Sequence, residues 1–263
     1  ATAGPGLIGA LLVGLTFAKG LSYSLQKPFV PVNHIEGHIF SGFLMKDKPE
    51  FPYLCLVVSG GHTLLLLVEG DTQITKLGST MDDAAGEAFD KISKLLGLGY
   101  PGGPKIQEAA EEQRNDFANF PIARCKNEYD FSFSGLKTSV LRFIQKEYGD
   151  ASKIPAADIP LIAASFQYSA VRSLLINTEK ALNKFNVNSI SLVGGVAANK
   201  MLRDDFEKLA SKYKKNLIIP SLEFCGDNAT MIAYRGLKLH QAGIMYGYDF
   251  NAYPSLSDYS FIK

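Results

Sequence analysis

Two six-residue apolar runs, YLCLVV at 53–58 and TLLLLV at 63–68, stand on either side of SGGH. Neither alternates polar with apolar residues. A strand with one wet face reads apolar-in and polar-out, so an unbroken run demands cover on both faces of its sheet. The glycines between the runs permit a tight turn, and the stretch reads as a hairpin of buried strands. A Rossmann-type parallel turn would feed a helix at that point instead. Cover comes from elsewhere in the chain. Residues 81–98 carry a helical pattern headed by Asp82 and Asp83 as capping candidates, with Asp83, Glu87, Asp90 and Lys94 along one face. Residues 159–185 form a long amphipathic helix, and 194–210 and 224–243 each run from a glycine-containing loop into a helix. Short strands are expected at 28–33, 189–193 and 217–220. Together these predict an α/β protein of two lobes with a cleft lined by glycine turns. The charged, proline-broken KDKPEFP at 46–52 is the candidate lobe boundary, and the residues from Tyr246 onward read as irregular.

Composition narrows the function classes. With 263 residues, 46% of them hydrophobic and 20% charged, the chain fits a soluble globular protein. A formal charge of +1 gives no global pull toward nucleic acid, so an RNA contact must use local patches or a partner's surface. Cys55, Cys125 and Cys225 are widely spaced with no C-x-x-C pair, which argues against a disulfide framework and suits a reducing cytoplasm. The longest apolar run, 7–18, is short for a membrane span and follows no basic segment, so it reads as a buried helix and no membrane partner is expected. The opening ATAGPGLIG looks like a strand end turning into that helix, which suggests a segment upstream.

VNHIEGHIFSG at 32–42 holds two of the four histidines and reads as helix to about Met45. Four residues apart, His34 and His38 share a helix face and can direct two imidazoles at one cation. The spacing alone fits a pair of surface or core histidines equally well. Glu36 points away from them, and the position after the first histidine, where an H-E-x-x-H protease keeps its general base, is Ile35. The protease reading therefore lacks its base. Asp227, at a loop-to-helix start between Gly226 and Asn228, is the best candidate for a third ligand, or else an ordinary helix cap. Cys225 is a competing soft ligand or a small buried thiol.

Three glycine pairs fall at element ends: Gly60-Gly61 after Ser59, Gly102-Gly103, and Gly194-Gly195 ahead of Asn199. Each alone fits a tight turn; three together suggest a cleft that admits a ligand close to backbone, and a nucleotide suits it. None of the three pairs matches the P-loop G-x-x-x-x-G-K-[ST] or the G-x-G-x-x-G fingerprint, which excludes a conventional P-loop ATPase. Asp90, close to the glycine pair that follows its helix, is the acidic residue whose position suggests a role. KYKKN at 212–216 reads as an exposed helix end.

HIEGH, VVSGGHT, DDAAGEAFDK, YPGGP, FSFSGLK, GGVAANKMLR and CGDNATM, in this order along nearly the whole chain, resemble the TsaD family. The resemblance implies the two-lobed actin-like, sugar-kinase-like and Hsp70-like ATPase (ASKHA) fold, with the first lobe lacking its initial segment. It implies residues 1–50 as the remainder of that lobe, 51–235 as the C-terminal lobe, and 236–263 as a segment packing back on the first. The activity implied is transfer of threonylcarbamoyl from threonylcarbamoyl-adenylate to the exocyclic amine of adenosine 37 in tRNAs reading codons that begin with A. His34, His38 and Asp227 would hold one divalent ion, Fe2+ or Zn2+. Val57, Val58, Ser59, Gly60 and Gly61 would line the adenylate, and Asp90, Gly103 and Asn199 would grip its sugar and base. Implied partners are tRNA, a structurally related metal-free homologue (TsaB-like) and a small P-loop ATPase (TsaE-like). A small-molecule kinase or a non-catalytic scaffold are the alternatives on the same fold; an imidazole-based cation site argues against the first and metal analysis separates the second.

Overall fold

The computed structural model describes residues 1–256 and 260–263. The chain enters through β1 (Thr2–Gly4), turns into α1 (Ile8–Leu25) and returns as β2 (Val32–Asn33), parallel to β1. Contrary to the expectation of a buried helix, α1 runs on to Leu25 and buries only Leu15 and Ser22. Apolar side chains occupy every side of it, while Ala3, Phe29 and Tyr253 cover a single side. Leu7, Val13 and Phe17 are more than 70% exposed in consequence. By length and composition α1 is also long and apolar enough to cross a membrane, a test that a helix of the core passes as well.

Directly after β2 comes α2 (His34–Ser41), started by Asn33, whose side chain accepts from the backbone N–H groups of Ile35 and Glu36. A 3-10 turn at Gly42–Leu44 and the proline-broken 46–52 lead into the hairpin, β3 (Tyr53–Val58) and β4 (Thr63–Val68), paired antiparallel over all six positions. The chain continues as β5 (Ile74–Ser79), α3 (Ala85–Leu95), α4 (Gly102–Ala110), α5 (Ser134–Tyr148) and α6 (Asp158–Lys184). It closes with β6 (Ser189–Val193), α7 (Lys200–Tyr213), β7 (Asn216–Ile218), α8 (Leu222–Cys225) and α9 (Ala229–Gln241).

The main sheet runs β5-β4-β3-β6-β7, antiparallel on the hairpin side and parallel from β3 to β7. Its pleat divides β3 between two cores. Leu54, Leu56 and Val58 join the large cluster with Phe89, Phe133, Phe166 and Leu174 from the helices of one face. Tyr53, Cys55 and Val57 join Ile35, Ile39 and Phe40 of α2 on the other. Helices on both faces account for the absence of alternation in the hairpin. β5 escaped the sequence reading because ITKLGS is a half-exposed edge strand with two apolar residues. Its Gly78 admits the neighbouring Tyr129 backbone, which a Cβ would meet at 2.1 Å. From Tyr246 onward no helix or strand occurs among the described residues, and 257–259 lie outside them.

Neither Asp82 nor Asp83 caps α3. Thr63 Oγ1 accepts from Ala85 N instead, at 2.9 Å. Asp82 accepts from the backbone N–H groups of Phe133 and Ser134 at the start of α5, and Asp83 holds Lys91 and Lys137 at 2.7 and 2.8 Å. Partial burial raises the Asp83 carboxyl, but the hydrogen bonds from Lys137 and Lys91 outweigh it, leaving the group below its ordinary value. A depressed folded value gives stability that is present above the unfolded value and lost as pH falls through the folded one. Asp83→Asn is expected to cost about 1–2 kcal/mol at neutral pH, the scale of a lost charge-assisted hydrogen bond. In melts at several pH values the difference from wild type should shrink below about pH 4, where the unfolded aspartate takes up its proton.

Candidate active site

α2 is short and nearly all buried, and its two histidines face the start of α9. His34 Nε2 and His38 Nε2 lie 3.2 and 3.1 Å from the same Asp227 oxygen, with His38 fully buried and the Asp227 side chain 77% exposed. The three ligand atoms fall within 4.8 Å of one another. Asn228 rather than Asp227 caps α9, its side chain accepting from Met231 N at 2.9 Å. That leaves the Asp227 carboxylate turned to the imidazoles. Hydrogen bonds from His34 and His38 hold its carboxyl well below the usual carboxylate range, so it stays ionised. Two imidazole nitrogens and one carboxylate oxygen on one point are the donor set of a three-ligand catalytic cation site with open positions, and the residues fit such an ion. Cys225 stays outside this group: it is buried, donates to Pro220 O and receives Arg203 Nη2.

Glu36, on the far side of α2, is spent elsewhere: it is buried against Arg235 of α9. Glu36 therefore offers no base for metalloprotease chemistry, and the position of such a base is held by Ile35.

A second feature lies across the β3–β4 turn. Gly60, Asp90, Gly103, Gly195 and Asn199 line a cavity of about 480 Å³, together with Tyr100, Gln107 and Leu222, which the sequence reading did not assign to a ligand. The glycine pairs divide in a telling way. In Gly102-Gly103 and Gly194-Gly195 the first member packs on backbone, where an added Cβ would meet Asp90 Cα and Val58 O at 2.4 Å. The second member, like Gly60, has nothing within 4 Å of a Cβ and fronts the cavity. Nothing inside the protein demands glycine at Gly60, Gly103 and Gly195. The space they leave belongs to the cavity.

Asp90 accepts from Gly102 N at 2.7 Å, tying α3 to the start of α4. Asn199 is pinned at both ends: its oxygen caps α7 through Leu202 N, and its amide donates to Gln167. Val57 and Val58 are wholly buried in opposite cores and neither lines the cavity, so the structure does not bring these two candidate residues to a ligand. Ser59 closes the turn by exchanging hydrogen bonds with His62, and Gly61 is exposed at its tip, outside the cavity lining.

His62 is the residue that motif reading passed over. Burial lowers its imidazole value, and the neighbouring His34 and His38 lower it further. It therefore sits in the field of the trio while Gly60, two residues earlier, lines the cavity. Leu222 also lines the cavity, five residues before Asp227. The two features are thus joined by two short stretches of chain, the β3–β4 turn and α8 with the residues that follow it. The trio also borders a depression of about 620 Å³ lined by Thr2, His34, Asp227 and Met231 among others.

The mixed five-stranded sheet with helices on both faces, a glycine-lined cavity and a bis-histidine carboxylate trio define a member of the ASKHA class carrying a candidate cation site. Solved structures of T. kodakarensis HypF (16% identical, TM-score 0.67, covering 95% of this chain and 41% of that one) and of full-length HypF in its phosphate- and nucleotide-bound form (13%, 0.63, 86% and 46%) share the fold. The family model of TsaD, tRNA N6-adenosine threonylcarbamoyltransferase, matches residues 1–234. Proteins of that name from Thermosipho africanus (52% identical over 97% of this chain and 76% of that protein) and Kosmotoga olearia (50%, 98% and 76%) are similar throughout. The chain belongs to the TsaD family.

Proposed function

We propose that the chain transfers the threonylcarbamoyl group of threonylcarbamoyl-adenylate to the exocyclic amine of adenosine 37 of tRNA, in the cytoplasm. Family membership supports the reaction class. The observation that carries the site assignment is the convergence of His34, His38 and Asp227 beside the glycine-lined cavity.

In this reading His34, His38 and Asp227 hold one Fe2+ or Zn2+ ion. When bound, it supplies Lewis acidity toward a carbamoyl or phosphate oxygen and keeps positions open for one. The chain's own residues do the rest. Gly60, Gly103 and Gly195 let the adenylate approach backbone, whose N–H groups offset charge developing on the departing phosphate. Asp90 and Asn199, each held by a hydrogen bond from or to a neighbouring element, take the sugar and base. The open depression bordered by His34 and Asp227 admits the acceptor adenosine, so donor and acceptor meet at the trio.

A net charge of +1 means that partners supply much of the RNA-binding surface, a metal-free homologue and a small P-loop ATPase being the kinds expected.

The test supplies metal-loaded protein with labelled threonylcarbamoyl-adenylate, unmodified tRNA and those partners. Label is expected on adenosine N6. Absence of transfer from protein that has bound its metal, or ATP-dependent phosphorylation of a small acceptor in its place, would overturn the assignment. A filter-binding titration with the isolated chain should give only weak, steeply salt-dependent RNA binding, and submicromolar affinity at physiological salt would contradict the role given to partners.

A further inference from the structure

Glu36 lies between the two histidines in sequence and on the opposite side of their helix. Its carboxylate is 2% exposed and Arg235, on α9, is fully buried. Arg235 donates from Nε and Nη2 to Glu36 Oε2 at 2.9 and 2.6 Å. The other oxygen, Oε1, accepts from the backbone N–H of Phe261 at 2.8 Å and from Ser260 Oγ at 3.3 Å. The guanidinium is sandwiched, 4.1 Å from the Phe40 ring centroid and 5.5 Å from that of Phe261. One buried carboxylate thus fastens three pieces of chain: the helix with both histidines, the helix that Asp227 precedes, and the carboxyl-terminal residues.

Burying a charged pair costs desolvation that the attraction seldom more than offsets, so stability alone is a weak reason for one here. Directionality is a better one. Elsewhere α2 meets α9 where Gly37 packs closely under Ile232 and Met231, an apolar contact without the directionality of a hydrogen bond. Turning α2 by about 20° would carry a side-chain tip, about 6 Å from the helix axis, through about 2 Å. Metal–ligand distances are held to about 0.2 Å. Apolar contact does not define the rotation that finely, whereas a charge-assisted fork with both carboxylate oxygens occupied does.

We propose that Glu36 and Arg235 are positioning residues for the candidate cation site, with the carboxyl-terminal strap of Ser260 and Phe261 completing the clamp. The inference rests on the reading that His34, His38 and Asp227 bind a divalent ion. It assigns the cation affinity of those three ligands to a contact made on the other side of α2.

The experiment compares wild type with the double variant E36M/R235M, which replaces the pair by apolar side chains and so avoids stranding a single buried charge. Zn2+ affinity is measured by competition with a chromophoric chelator, and the visible spectrum of bound Co2+ reports ligand geometry. Melting of the metal-free proteins monitors the fold. The double variant should melt cooperatively, bind Zn2+ about ten- to a hundredfold more weakly and show altered Co2+ bands, the range seen when groups that orient metal ligands are changed. A folded double variant with unchanged Zn2+ affinity and Co2+ spectrum would overturn the proposal. Should it fail to fold, R235K decides: it keeps the charge but loses the fork, so weakened Zn2+ binding supports the clamp and unchanged binding removes it. Wild type that takes up neither ion overturns the cation reading itself, a result distinct from either of these.

Discussion

With Asp227 replaced by alanine, the chain should take up no stoichiometric Zn2+ or Fe2+ and lose threonylcarbamoyl transfer by about a thousandfold or more. The magnitude follows from the several kcal/mol that a Lewis acid contributes to charge stabilisation, at about 1.4 kcal/mol per tenfold in rate. Two imidazoles alone leave an ion one protein ligand short of the usual catalytic set. The fold should survive, because the Asp227 side chain is 77% exposed and Asn228, not Asp227, caps α9. The loss of the partner of the buried His38 Nε2 should cost about 1–3 kcal/mol, lowering the melting temperature by several degrees without loss of cooperativity. His34→Ala with His38→Ala should give the same loss of ion and transfer in a protein that still folds, with a lower melting temperature because His38 is wholly buried. Metal analysis, a transfer assay and a thermal melt on the same preparations check all of this. Transfer retained by folded, metal-free variant would remove the chemical centre of the proposed function.

That contrast between an exposed ligand and a buried one was not legible in the sequence. Helical periodicity placed His34 and His38 on one face and turned Glu36 away, because 3.6 residues per turn fixes such relations locally. Asp227 needed more: it is 189 residues from His38, and its approach depends on how α9 docks on α2. Nothing local in GDNA says whether the aspartate or the asparagine caps the helix. The same ambiguity explains Asp82 and Asp83, which looked like caps for α3 and serve α5 and two lysines instead. Short polar side chains at helix starts have several partners of similar worth, and tertiary packing chooses among them.

The hairpin was legible because neither of its runs alternates polar with apolar residues, and a strand apolar on both faces has few places to go. α1 misled for a related reason. Its apolar content is as high as that of a core helix, but burial depends on what stands opposite, and only one side of it meets Ala3, Phe29 and Tyr253. The cavity was half legible. Glycine pairs announced it, while Tyr100, Gln107 and Leu222 carry no sequence signature of facing a ligand, and His62 passed unnoticed inside a quoted motif.

Gly194 and Gly195, neighbours of the same type, should respond oppositely to alanine. Gly194 has φ of 94°, which L residues rarely adopt, and a Cβ there would stand 2.4 Å from Val58 O and 2.8 Å from Val58 C. Both atoms belong to β3 at the centre of the sheet, so neither can yield cheaply. Strained dihedral and backbone overlap together should cost about 3 kcal/mol or more. For a chain of this size that is a fall of about 6–12 °C in melting temperature. Gly195 has ordinary dihedrals and no atom within 4 Å of its Cβ position, yet it lines the cavity. Gly195→Ala should therefore melt within about 2 °C of wild type while binding AMP at least several-fold more weakly, since its methyl enters space a ligand would use. Calorimetric titration with AMP and a melt of each variant separate the two effects. Equal melting temperatures for the pair would mean that the turn after β6 is not held against β3 as described. Undiminished AMP binding by the Gly195 variant would mean that the adenylate does not lie along this turn.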